Sequence, residues 1–86
     1  MQTHDEVFAI LRAALIELFE LAPEQISLEA NLYDDLEIDS IDAVDLIDHI
    51  KRQTGKKIAA EEFKAVRTVG DVVEAVLRVV NAPAAN

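Results

Sequence analysis

The sequence predicts an all-α four-helix bundle, with three longer helices, one short helix and a long loop between helices 1 and 2. Apolar residues recur at steps of three and four positions in three separate segments, which is the spacing of a helix buried on one side. Each segment follows a Thr or Asp with an acidic residue three positions later, a pattern typical of a capped helix start. Because the chain has 86 residues and is 51% apolar, we expect one core, in a single domain over 1–80 with a flexible tail at 81–86.

The first helix is predicted over residues 4–21. Thr3 is its expected N-cap, and Glu6 completes a capping box with it. Pro23 is expected to end the helix. The residues predicted to form its buried stripe are Val7, Leu11, Ala14, Leu15, Leu18 and Phe19.

A long connection follows, from Ala22 to Ile38. It is too apolar for a free linker, so we expect it to be pinned onto the core, with one short helical turn at 31–36. Connections of this length without structure of their own are uncommon and usually functional. The apolar residues of the connection are Ile26, Leu28, Leu32, Tyr33, Leu36 and Ile38.

The second helix is predicted from Ser40 to Gln53, with Asp39 as its N-cap and Asp42 in its first turn. Gly55 is the expected left-handed residue after its end. On a helical wheel, the face assigned to the core holds Ala43, Leu46, Ile47 and Ile50, whereas a different stripe holds Ile41, Val44 and Asp48. Exposed β-branched residues beside acids would form a partner-binding patch; the alternative is that they complete the core.

In the last third of the chain, the residue pattern predicts a short helix or a single turn at 61–66. A final helix is predicted to follow, capped by Thr68 with Asp71 three residues on. Ile58 and Phe63 are the expected core anchors around the short helix. The apolar stripe of the final helix comprises Val69, Val72, Val73, Val76, Leu77 and Val80.

The net charge of −9 argues against a nucleic-acid partner and for protein partners with basic surfaces. The acids cluster without any basic residue among them between Asp34 and Asp48, whereas the basic residues concentrate from Lys51 onward. A generic solubilising surface is the alternative. No apolar run is long enough to span a bilayer, no basic signal-peptide region opens the chain, and there is no cysteine, so we expect a soluble cytoplasmic protein.

Ser40 is expected to be the first helical residue after the Asp39 cap, with its hydroxyl at the positive end of the helix dipole. Free backbone N–H groups and the dipole both favour a phosphate there. A nucleophile would need a nearby base, yet His49 lies roughly 13 Å along the helix on the opposite face, and His4 lies at the start of the first helix. We therefore expect no catalytic residue, although local sequence leaves open an ordinary first-turn serine.

A calcium loop starting at Asp35 is only partly matched. Glu37 and Asp39 take the right positions, but Ser40 stands where the sharp turn needs glycine and Leu46 where a bidentate Glu is needed. The sequence therefore predicts no dedicated metal site.

The stretch DLEIDSIDAVDL at 35–46 resembles the attachment motif of acyl carrier proteins, whose middle is usually Leu-Gly-x-Asp-Ser-Leu. The resemblance covers nearly the whole chain, which makes it more specific than an isolated Asp-Ser pair. The further stretches that fit the family's spacing are Ile26-Ser27, Ala30-Asn31-Leu32 and Thr68-Val69-Gly70-Asp71.

The resemblance implies that Ser40 carries a 4′-phosphopantetheine arm, installed from coenzyme A by a phosphopantetheinyl transferase, with acyl intermediates held as thioesters on its thiol. It implies a monomer that docks on acyl transferases or ligases, a ketosynthase and other modifying enzymes through basic patches, and acyl chains that fold back between the helices. Asp39 belongs to the motif as well as to the helix cap. The implied partner-binding residues on helix 2 are Asp39, Ile41, Asp42, Val44, Asp45 and Asp48.

Three positions depart from the usual pattern. Glu37 stands where glycine is usual, Ile41 where leucine is usual, and Asp48 in a place often held by methionine. These departures favour a specialised carrier of a polyketide or polyene-type pathway over the housekeeping fatty-acid carrier. The alternatives are a peptidyl or D-alanyl carrier and, from another class, a non-covalent acidic adaptor that docks a basic partner through helix 2.

The crowded carboxylates lead to a prediction about salt. Because they repel one another, raising NaCl from about 0.02 M to about 0.5 M should raise the melting temperature by screening that repulsion. Thermal unfolding followed by circular dichroism measures the effect. A melting temperature that is indifferent to salt would show that the acidic band is not strained.

Overall fold

The structure, a computed structural model, describes residues 3–58 and 60–81. Within them the chain forms four α-helices and one 3-10 helix: α1 (His4–Phe19), the 3-10 helix (Pro23–Gln25), α2 (Ser40–Thr54), α3 (Ala60–Lys64) and α4 (Val69–Val80). These residues contain no β-strand, only an isolated bridge between Asn31 and Thr68. The predicted all-α fold with three longer helices and one short helix is confirmed.

Each of the three longer helices starts at its predicted N-cap, and in each the cap forms a capping box with the acidic residue three positions on. Thr3, Asp39 and Thr68 each accept a hydrogen bond from the backbone N–H three residues on, and the acidic side chain there accepts one in return. Reciprocal bonding satisfies two backbone donors that would otherwise lack a partner at a helix start. The sequence signal is local, which is why it located these starts to the residue.

The helix ends are less well predicted. α1 ends at Phe19, before the predicted residue 21, because Glu20 takes a left-handed conformation (φ 55°) and donates its N–H to the Ile16 carbonyl at 3.0 Å. Pro23 begins the 3-10 helix instead of ending α1. At the other end, Asn81 is half-buried and is the C-cap of α4, with its N–H donating to the Leu77 carbonyl at 3.0 Å. The rest of the predicted tail lies outside the described residues.

α1 packs against both α2 and α4, and α3 packs against α4. Most of the predicted stripes are buried, including Ile58 and Phe63. Leu18 is an exception, with 37% of its surface exposed. It lies in the last turn of α1, and residue spacing does not show how far the neighbouring helices reach along it.

The long connection is pinned to the core as predicted. Both buried apolar side chains and backbone hydrogen bonds hold it there. Leu32 N–H donates to the Arg67 carbonyl at 2.9 Å, Val69 N–H to Ala30 at 3.0 Å, and Gly70 N–H to Leu28 at 2.8 Å. Gly70 permits this approach, since a Cβ there would lie 3.0 Å from the Leu28 carbonyl oxygen. The connection is thereby tied to the junction between α3 and α4.

Four of the six apolar side chains of the connection are buried: Ile26, Leu32, Leu36 and Ile38. Leu28 and Tyr33 are 37% and 42% exposed, so their side chains contribute less to this burial. The predicted helical turn at 31–36 takes the form of a hydrogen-bonded turn in which the N–H groups of Asp35 and Leu36 both donate to the Asn31 carbonyl.

No helix within the described part of the chain combines the length and the apolar character that a membrane span needs.

Asp71 generates a prediction about pH. One of its carboxylate oxygens accepts from the N–H groups of Arg67 and Thr68, each at 3.1 Å, and these backbone hydrogen bonds lower the pKa of Asp71 below its usual value. A carboxyl whose pKa is lower in the folded state stabilises the fold above its unfolded pKa, and this contribution is lost as pH falls through the folded pKa. Asp71→Asn should therefore destabilise the fold near pH 7 by at most about 1 kcal/mol, because the carboxylate is exposed to solvent, and the difference from wild type should disappear as pH is lowered from 7 through the pKa of Asp71.

Urea unfolding across this pH range measures the difference in free energy of unfolding between the two proteins. Titration of the other acids affects both proteins equally, so it cancels in this difference. Asp45→Asn removes the same charge from an exposed side chain that makes no hydrogen bond within the described residues, so it should not destabilise the fold at pH 7. A constant difference between wild type and Asp71→Asn at all pH values would contradict the assignment.

Candidate functional site

The end of the long connection positions Ser40 through a left-handed residue. Leu36 and Ile38 are both buried, 4% and 3% exposed, and Ile38 N–H donates to the Leu32 carbonyl at 2.9 Å. Between them the exposed Glu37 has φ 55°. This conformation lets the chain turn so that both neighbours face the core, and it accounts for the glycine usual there in the family that the sequence resembles.

Ser40 is exposed and is the first residue of α2. The Asp39 carboxylate accepts from Asp42 N–H at 2.9 Å, and Asp42 accepts from Asp39 N–H at 3.3 Å. Within the described residues, the N–H groups of Ser40 and Ile41 donate to no acceptor, as expected in the first turn of a helix. The hydroxyl of Ser40 therefore stands at the positive end of the dipole, beside two free N–H donors that favour an anion.

An open apolar cleft of about 230 Å³ begins beside Ser40. Its α2 wall consists of Ala43, Val44 and Ile47, and Phe63 supplies the facing wall from α3. Tyr33 and Lys64 also line it. We call this space the apolar cleft; its walls can cover a hydrocarbon chain.

The outer face of α2 carries apolar residues among acids. Ile41 and Val44 are 73% and 64% exposed, so the alternative that they complete the core is wrong. Asp45 is exposed, whereas Asp42 is half-buried against the helix start. Asp48 makes an ion pair with Arg52 at 3.0 Å, one helical turn along. The acids of α2 predicted to bind partners therefore differ in the contacts they make. Asp45 is the one that makes no hydrogen bond or ion pair within the described residues.

Neither histidine reaches Ser40. His4 lies 3.7 Å from the Glu74 carboxylate, and His49 is half-buried in a separate cleft between α1 and α2. In the part of the chain that the structure describes, no three His, Asp or Glu side chains come close enough together to hold a metal ion. The site presents a hydroxyl and a surface, without an adjacent histidine base.

Comparison with known proteins decides the family. The chain matches the family described as "Phosphopantetheine attachment site" over residues 9–76. It is 46% identical over 74 residues to acyl carrier protein 2 of Ralstonia nicotianae, covering 86% of this chain and 91% of that protein. This chain belongs to the phosphopantetheine-binding family of acyl carrier proteins.

Two further relatives support the assignment. The chain is 37% identical over 73 residues to the acyl carrier protein of Renibacterium salmoninarum, covering 85% of this chain and 90% of that protein. It is also 35% identical over 71 residues to the meromycolate extension acyl carrier protein of Mycolicibacterium smegmatis, covering 83% and 72% of the two chains. The prosthetic group of this family is 4′-phosphopantetheine, and the exposed Ser40 hydroxyl with its two free N–H neighbours fits such a group.

Two features of the site were not found from the sequence. Phe63 was assigned only to the core, yet at 5% exposed it also forms a wall of the apolar cleft. Lys64 was given no role, although it lines the same cleft. Only the packing of α3 brings these residues near Ser40, and no spacing rule links positions so far apart along the chain.

Glu37 gives a prediction about strain. A left-handed non-glycine residue costs roughly 1–2 kcal/mol, and glycine relieves that cost at the expense of a more flexible unfolded chain. Glu37→Gly should therefore raise the stability by about 0.5–1 kcal/mol net, which corresponds to several degrees in melting temperature. Glu29→Gly is the matched control, since Glu29 is exposed in the same connection, has the same charge and has a negative φ. It should be destabilising, and equal effects of the two substitutions would contradict the strain argument.

Proposed function

We propose that this protein carries acyl intermediates on a 4′-phosphopantetheine arm joined to the Ser40 hydroxyl, and presents them to partner enzymes of fatty-acid or specialised polyketide-type biosynthesis. The observation that carries the proposal is an exposed serine at the capped start of α2, in a chain of the phosphopantetheine-binding family. When bound, the group supplies a thiol on a flexible arm that holds acyl groups as thioesters. The chain's own residues position the arm, and the chain itself is not an enzyme.

The apolar cleft supports the proposal because it begins at the attachment residue. Ser40 lines the cleft together with Val44, Ile47 and Phe63, whose apolar surfaces can cover the hydrocarbon part of the cargo. Cargo held there would be shielded from water, and its release to a partner would require only that it leaves an open cleft.

The outer face of α2 is the proposed docking surface for partners with basic patches, among them the phosphopantetheinyl transferase, acyl transferases or ligases and a ketosynthase. Ile41 and Val44 supply the apolar contact. Asp39 and Asp42 carry charge and also form the capping hydrogen bonds at the start of α2. The charge of Asp48 is partly neutralised by its ion pair with Arg52. We therefore expect Asp45 to contribute the most to the electrostatic attraction of a basic partner. We also expect the protein to act as a monomer in the cytoplasm.

The experiment that tests the proposal is incubation with coenzyme A and a broad-specificity phosphopantetheinyl transferase, followed by intact-protein mass spectrometry. Wild type should gain the mass of one phosphopantetheine, and Ser40→Ala should gain none. Ser27→Ala is the control, because Ser27 is also exposed but lies in the connection. A wild-type protein that several such transferases leave unmodified would refute the proposal.

The same assay separates the carrier from a non-covalent acidic adaptor. Asp45→Lys should slow the transfer of the phosphopantetheine arm to Ser40, most strongly at low ionic strength, because it removes an attractive charge from the docking surface. Glu17→Lys makes the same charge change beside the cleft that contains His49, and it should have a smaller effect. An adaptor would keep its partner binding in Ser40→Ala, whereas a carrier loses its function. A ligase that loads an aminoacyl group onto the arm would instead indicate a peptidyl or D-alanyl carrier.

A further inference from the structure

We propose that the cargo of this carrier bears an anionic end group, a carboxylate, that is received by Lys64 and Arg67 in a second, polar cleft adjoining the apolar cleft. The inference rests on the proposed function, since it takes the cargo to be held at Ser40. It names the class of acyl chain that the site fits, namely one that is apolar near the attachment point and ends in a carboxylate.

The polar cleft adjoins the apolar cleft through two shared residues. It is open, has a volume of about 370 Å³, and is lined by Asn31, Tyr33, Asp34, Lys64, Val66 and Arg67. Tyr33 and Lys64 line both clefts, whereas Ser40 lines only the apolar one and Arg67 only the polar one. The acyl chain begins at the thiol of the arm, so an arm that folds back and lays the chain in the apolar cleft can bring the far end of the chain to Tyr33 and Lys64, where the polar cleft adjoins.

The charge of the polar cleft selects an anion. Lys64 and Arg67 are its two cations and Asp34 its one acid, on a protein whose net charge is −9. Within the described residues neither cation forms an ion pair, unlike Arg52 with Asp48 at 3.0 Å. A carboxylate can therefore bind the two cations without breaking an ion pair, in competition with the attraction between Arg67 and the Asp71 carboxylate.

Arg67 is held in place by its backbone. Its N–H donates to the Asp71 carboxylate at 3.1 Å, and its carbonyl accepts from Leu32 N–H at 2.9 Å. The neighbouring Val66 is buried. These bonds fix the point from which the side chain leaves the backbone, and the planar fork of the guanidinium matches a carboxylate.

The arm's own phosphate is the other source of negative charge near the site. It would be bonded to Ser40, which does not line the polar cleft, and the apolar walls of Ala43, Val44 and Ile47 lie alongside that residue. The far end of the cargo fits the cations better than the phosphate does.

The test loads the protein with matched pairs of acyl groups transferred together with the arm from their coenzyme A thioesters. Adipoyl is compared with hexanoyl and sebacoyl with decanoyl, so that each pair differs only in a terminal carboxylate or methyl. Mass spectrometry first confirms loading at Ser40. In at least one pair the carboxylate chain should then raise the melting temperature by about 2 °C or more over its methyl partner, and it should shift the Nε–H resonance of Arg67.

Lys64→Gln combined with Arg67→Gln should remove at least half of that melting-temperature difference. Lys56→Gln combined with Lys57→Gln is the matched control: both of these residues are exposed, neither lines the two clefts, and the charge change is the same. The control should leave the difference unchanged.

The inference is overturned if the proteins loaded with carboxylate and methyl chains have the same melting temperature in both pairs, or if the difference persists in the Lys64 and Arg67 double variant. A protein loaded with the arm alone that already shows the full shift of the Arg67 resonance would assign the cations to the phosphate and also overturn it. Failure to gain any mass at Ser40 refutes the proposed function itself, and the mass measurement distinguishes that outcome from the others.

Discussion

The site depends on the hydrogen bonds that tie the long connection to the junction between α3 and α4. Ala30 and Leu32 are buried, and their backbone groups pair with Val69 and Arg67 of that junction. Backbone groups buried without partners would cost free energy, so this pairing is what allows an irregular segment to lie against the core. It fixes the place from which the chain enters α2. The same pairing holds Arg67 beside Tyr33 at the edge of the polar cleft.

α2 divides its surface between stability and recognition. Leu46 and Ile50 are almost fully buried, while Ile41 and Val44 remain largely exposed. Burying such a side chain would contribute about 1.5–3 kcal/mol, so leaving two of them in water forgoes stability unless a partner covers them. The exposed pair beside Asp45 is therefore better explained by docking than by folding. The capping box at Asp39 keeps the start of this helix ordered without burying Ser40.

The strained backbone of Glu37 is also a consequence of how the core is packed. A residue with a side chain is held at positive φ because its two neighbours are buried on either side of it, so the fold determines a conformation that the residue itself disfavours. This position lies three residues before Ser40 in the chain. The departure from the usual glycine thus has a structural cost.

The sequence by itself determined the helices and their starts, the exposed face of α2 and the candidate attachment residue. These features depend on periodicity and on capping pairs three residues apart, and such interactions are complete within one or two turns of chain. The family assignment extended this reading to the prosthetic group.

The tertiary structure decided where α1 stops, that Leu18 and Tyr33 are exposed, and that Phe63 and Lys64 face the same cleft as Ser40. It also decided which acids are engaged in hydrogen bonds or ion pairs and which are not. These properties arise from contacts between segments far apart in the chain, where the geometry of packing, and not local preference, sets which side chains meet.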